Sequence, residues 1–236
     1  MLTFACLSPH PPIILPTVGS PQDRQKVKNT IKALESLAPE LEKAQPEIII
    51  VSSPHLDWGI QVPLHFLVSN LKYQILNQYL AASDKRLVEK LVENWSKEKS
   101  LPLILPVLTD SPEGHQFYFQ IGKLIARQMP QKRPIAWIAS GDLSHVLSQN
   151  GPYGFNPAGP KFDQELIRLL KAKNLKGILD LPQDLIDEAG ECGLRSFSML
   201  LGALEELKVS WHPEILSYEG PFGVGYLVAN LKTKND

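Results

Sequence analysis

At 236 residues, 43% hydrophobic and 21% charged, the chain is long enough for one large domain and too apolar for a disordered or collagen-like one. Its 24 Lys+Arg balance 25 Asp+Glu without a long basic block, so neither a nucleic acid nor an anionic membrane is expected as a partner. Two cysteines, Cys6 and Cys192, are too few for a disulfide scaffold. With no secretory leader in MLTFACLS and no run of 18 apolar residues, a cytoplasmic protein without a spanning helix is expected.

The opening run LTFACLS (2–8) predicts a buried strand, and SPHPP then holds His10 in a proline-stiffened turn. Val27, Ile31, Leu34, Leu37 and Leu41 recur at three- and four-residue spacing, the pattern of an amphipathic helix, with Pro39 placed to kink or split it. EIIIVSS (47–53) reads as a second buried strand, followed by a loop over 56–70. Leu87, Leu91 and Trp95 outline a helix over 84–98, and LPLILPVL (101–108) a third strand. In SPEGHQFYFQIGKLIARQ, Ser111 is placed to cap a helix that has Pro112 at its first position. PIAWIAS (134–140) is a fourth strand. SQNGPYGFNPAGP (148–160) is a loop of turn formers and aromatics, long enough to point to function. LIRLLKAK and LRSFSMLLGALEEL read as helices, and PEILSYEGPFGVGYLVANL (213–231) as one or two strands with GPFG as a turn or bulge. The alternation predicts a single α/β domain over 1–236, with a mixed, mostly parallel central sheet and helices on both faces.

Three of the six histidines share one context. His10 follows the first strand, His55 the second and His145 the fourth, each after a serine-containing turn. Side chains just past the carboxyl ends of strands in an open α/β sheet converge on one crevice. A histidine after a strand is often a plain turn residue, but three matching ones define a candidate cluster. His65 and His212 lack the context and read as structural. Imidazoles with a carboxylate suit Fe(II), Mn(II) or Zn(II), and Asp57, Asp142, Glu188 and Glu191 are the candidate anions. Asp142, three residues before His145, could instead orient an imidazole. His115, in a first helical turn, is disfavoured as a cation by the helix dipole and so is available as a base or hydrogen-bond partner.

In order, SPHPP, SSPH, SPEGH, SGDLSH, EAGECGLRSF and PFGVGYLVA resemble the class III extradiol ring-cleavage dioxygenases of the catalytic B-subunit type, and within them the branch related to Memo proteins. The resemblance runs from Ser8 to Val228. It implies a non-haem Fe(II) centre, in a site that other divalent ions such as Mn or Zn can occupy, held by His10, His55 and Glu191. Cys192, beside Glu191, is the alternative third ligand. It further implies that His145, next to Asp142, takes a proton from a small aromatic diol substrate, and that His115 returns one during cleavage of the ring by O2. A homo-oligomer is expected. The alternative implied by the Memo branch is a metal-binding or interaction protein without dioxygenase activity.

Overall fold

A computed structural model describes residues 1–76, 79–95 and 101–234. Its sheet has eight strands: β1 (Leu2–Ser8), β2 (Ile48–Ser53), β3 (Gln74–Ile75), β4 (Leu80–Ala81), β5 (Leu103–Leu108), β6 (Ile135–Ser140), β7 (Ser210–Glu219) and β8 (Tyr226–Lys234). The order is β3-β5-β2-β6-β1-β8-β7, with β4 also paired to β5. All pairings from β3 to β1 are parallel; β8 and β7 are antiparallel additions on one side.

The central strands are continuous apolar runs because both faces of the sheet are covered. Along β2, Ile48 and Ile50 enter one core while Ile49 and Val51 enter the other. β1 divides in the same way, with Ala5 and Leu7 on one side and Phe4 and Cys6 on the other. The first face carries α4 (Leu87–Trp95), α5 (His115–Arg127), α6 (Ala158–Lys171), α7 (Leu175–Leu179), α8 (Gln183–Ala189) and α9 (Leu194–Glu206). The second carries α2 (Lys28–Ala44) and α3 (Asp57–Leu67). A short α1 (Pro21–Lys26) precedes α2, opened by a capping box between Ser20 and Asp23.

Several boundaries differ from the sequence expectation. Pro39 lies inside α2 without splitting it, since burial of Leu34, Leu37, Ala38 and Leu41 holds the helix on the sheet through the missing backbone bond. Residues 57–67, expected as loop, form α3. α5 starts at His115 with Gly114 as its cap, not at Pro112. Ser111 is otherwise engaged: its amide donates to Tyr118 Oη and its carbonyl accepts from both Tyr118 and Arg195. The helix expected over 84–98 is seen as α4, and residues 96–98 lie outside the described residues. GPFG is the turn between β7 and β8. Among the described residues no helix is long and apolar enough to cross a membrane.

Register places the site. Ser8 ending β1 pairs with Ser140 ending β6, and Ser52 near the end of β2 pairs with Ala139. Three adjacent parallel strands therefore stop at one level, and the residues after them share one edge.

Candidate metal centre

His10 follows β1 and is fixed at three atoms. Its backbone N–H donates to Asp142 Oδ1 (3.0 Å), its Nδ1 lies 3.0 Å from Ser140 Oγ, and its Nε2 lies 3.5 Å from Cys192 Sγ. His55 follows β2; its N–H donates to Ser53 Oγ (3.2 Å), and its ring centroid is 5.3 Å from that of His10 at 67°. Cys192 arrives from the opposite direction, in the turn from α8 to α9. The Cys192 and Gly193 amides donate to Asp142 O (3.2 and 2.9 Å), and the Asp142 amide donates back to Cys192 Sγ (3.3 Å). This exchange requires two bare backbones in contact. A Cβ on Gly141 would lie 2.1 Å from Gly193 Cα, so only glycine fits there.

The donor atoms of His10, His55 and Cys192 all lie within 4.8 Å of one another, as do those of Asp142, His145 and Cys192. Cys192 is common to both groups. Glu191 belongs to neither: consecutive side chains diverge, and its Oε2 accepts from the Leu194 amide (2.5 Å) at the start of α9. It lines a separate cavity of about 350 Å³ with His115, Asp187 and Arg195. His115 is buried there with Nε2 3.1 Å from Leu179 O. A second cavity of about 440 Å³ lies beside His55, walled by Asp57, Trp58 and Leu108. Asp57 and Glu188 are exposed and in neither donor group, as are His65 and His212.

Burial sets the proton balance. His10 is pushed down to about 3, first by loss of solvent and then by repulsion from His55, so it is neutral and able to ligate. Burial lowers His145 as well, against the pull of Asp142, and lowers His115. Burial raises Asp142 to about 6, a rise limited by the His10 amide and by the nearby histidines. Glu191 rises to about 7 for the same first reason. Cys192 is held well above its ordinary value by burial, with Asp142 adding to the effect. A cation at this point would reverse the last shift, because it replaces the thiol proton as the charge facing sulfur. Two imidazole nitrogens and one sulfur form a donor set that fits a divalent transition metal. His10 is prepared for it: an Nδ1–H donated to Ser140 leaves the Nε2 lone pair facing Cys192.

Several further residues stand at this edge. Ser140 aligns His10, and Tyr153, from the 148–160 loop, places its ring 5.3 Å from that of His145 with a 35° tilt. Tyr226 on β8 is buried near Asp142, and both burial and that carboxylate raise its phenol. Asp163 on α6 accepts from the Ser144 amide. Tyr153 left a signal through its aromatic-rich loop, and Asp163 as a carboxylate in helical register with Leu166 and Leu170 on an apolar face.

The model of the family described as "catalytic LigB subunit of aromatic ring-opening dioxygenase" matches residues 52–229. The chain belongs to this family. A curated relative, Protein CA_C1420 of Clostridium acetobutylicum, is 33% identical over 96% of this chain. The match covers 56% of that relative, so the chain spans little more than half its length. Among solved structures, the uncharacterized protein JW3007 from Escherichia coli K12 superposes with a TM-score of 0.51 at 13% identity, covering 97% of this chain and 99% of that one. That likeness is one of fold. The matched residues include His55, Asp142, His145 and Cys192, whose donor atoms belong to the two groups that could hold a metal.

Proposed function

We propose that the protein is a metal-dependent oxidoreductase that opens a small aromatic diol with O2, its metal held by His10, His55 and Cys192. The supporting observation is the grouping of two imidazoles and a thiol at the end of three parallel strands, with His145 and Asp142 grouped around the same thiol, in a LigB-family chain. Fe(II) is the proposed ion, with Mn and Zn as ions the same donors accept. When bound, such an ion supplies the charge that favours the deprotonated diol and the electrons that make O2 reactive.

The chain's own groups handle protons and position. His145, neutral because it is buried, is the base that takes the proton of a substrate hydroxyl, and Asp142 stabilises the imidazolium that results. Tyr153, exposed and with its ring 5.3 Å from that of His145, offers a stacking face to an aromatic ring. Trp58 supplies an apolar wall beside His55. His115, in the cavity with Glu191, would meet the far end of a substrate and return a proton there.

One observation favours a second reading. A thiol rather than the Glu191 carboxylate faces the two histidines, and a sulfur ligand departs from the two-histidine, one-carboxylate face on which O2 chemistry of this type rests. The alternative is a Memo-like metal-binding protein without dioxygenase activity. Oxygen consumption separates the two. Protein reconstituted anaerobically with Fe(II) should take up O2 stoichiometrically with at least one member of a catechol panel; uptake with none of them selects the second reading.

A further inference from the structure

We propose that Asp163 is a positioning residue that sets the orientation of His145 through the backbone of Ser144; this rests on His145 acting as the base proposed above. Asp163 is fully buried on α6, and its partners are an amide and a phenol rather than a cation. Ser144 N–H donates to its Oδ1 (2.8 Å), and Tyr218 Oη donates to its Oδ2 (2.7 Å). Removing a carboxylate from water without a cation opposes folding, so its presence calls for a role that an apolar residue could not fill. That role is visible in what it grips. Ser144 sits between Asp142 and His145, and every polar group of its residue is held: the amide by Asp163, the carbonyl by Gly225 N–H (2.8 Å), and the hydroxyl by Ala189 O (3.0 Å). The His145 amide donates to the same Ala189 carbonyl (3.1 Å).

The clamp is also sterically closed. A Cβ on Gly225 would lie 2.3 Å from Asp163 Oδ2, so the turn leading into β8 meets α6 here without room for a side chain. Burial raises Asp163 to about 6, which leaves it an ionised acceptor for both donors at neutral pH. Tyr218 carries the clamp to β7, so α6, the β7–β8 turn and the end of α8 jointly fix one peptide unit beside the proposed base.

The test compares Asp163→Asn, Asp163→Leu and Tyr218→Phe with wild type, using zinc-loaded protein carrying ¹⁵N-labelled histidine rings. The His145 ring resonances should shift and broaden in both Asp163 variants and move less in Tyr218→Phe. Those of His65 and His212, on α3 and β7, should stay in place. Metal content should be unchanged, because none of the proposed ligands is touched. Unmoved His145 resonances in a folded variant would overturn the proposal, and so would equal shifts at His65 and His212, which mark general loosening. If Asp163→Leu does not fold, the Asn and Phe variants carry the same comparison. With a catechol that wild-type iron protein cleaves, Asp163→Asn should lower kcat by ~10–100-fold with KM within about threefold. Failure of wild type to cleave any catechol would reject the dioxygenase reading, while the resonance comparison would still decide the role of Asp163.

Discussion

With its Nδ1–H donated to Ser140, the buried His10 imidazole would present its Nε2 lone pair to a metal at every pH above its own low pKa of about 3. His10→Ala and His55→Ala should therefore each abolish stoichiometric metal binding, as read by elemental analysis. His145→Ala should keep the metal and lose turnover by roughly 10²–10⁴-fold; an empty site in that variant would make His145 a ligand instead of a base. Cys192 behaves differently, because its thiol is protonated until a cation replaces the proton. Zinc added to weakly buffered metal-free protein should release about one proton more from wild type than from Cys192→Ala. Equal release would remove the thiol from the ligand set. At this scale the sequence pointed to the histidines through their shared strand-end context. It could not separate Glu191 from Cys192, since the direction of neighbouring side chains depends on how the α8–α9 turn meets Gly141, a contact between residues some 50 positions apart.

Helix α9 is docked on the sheet by hydroxyls as well as by apolar contact. Ser196 Oγ lies 2.8 Å from Ser52 Oγ and donates to Ser52 O, while Trp137 Nε1 donates to Ser52 Oγ (3.0 Å), all of it buried. Ser52→Ala leaves an indole N–H without its acceptor, and should destabilise the protein by about 1–3 kcal/mol in urea titration. A change below the error of that titration would mean the network is replaceable by packing. The strands on which it sits were legible because uninterrupted apolar runs have few alternatives in a sheet covered on both faces. The start of α5 and the existence of α3 were not. Ser111 is drawn away by Tyr118 and Arg195, and residues 57–67 become helical by packing Ile60, Val62 and Phe66 against the sheet.

For the whole molecule, buried titratable groups oppose one another. Unfolded Asp163 loses its proton near its ordinary value of 3.8, whereas in the fold it holds the proton up to about 6. Its contribution is thus fully present below the lower value and is lost as pH rises through the higher one. His10 acts in reverse: the unfolded chain takes up a proton below about 6.5 and the fold only near 3, so stability falls as pH falls through that interval. In metal-free protein, Asp163→Asn should remove the first effect alone. Its stability relative to wild type should improve steadily from about pH 4 to about pH 6 and then level off, measured by urea denaturation. A constant difference across that range would show that Asp163 does not titrate as its burial requires. At the sheet edge itself, burial keeps His10 neutral and the Cys192 thiol protonated until a cation arrives. The most direct measurement is the metal content of anaerobically purified wild type, Glu191→Ala and Cys192→Ala. Near-stoichiometric metal in the first two and loss in Cys192→Ala is the expected result. Loss with Glu191→Ala and retention with Cys192→Ala would contradict a centre built on His10, His55 and Cys192.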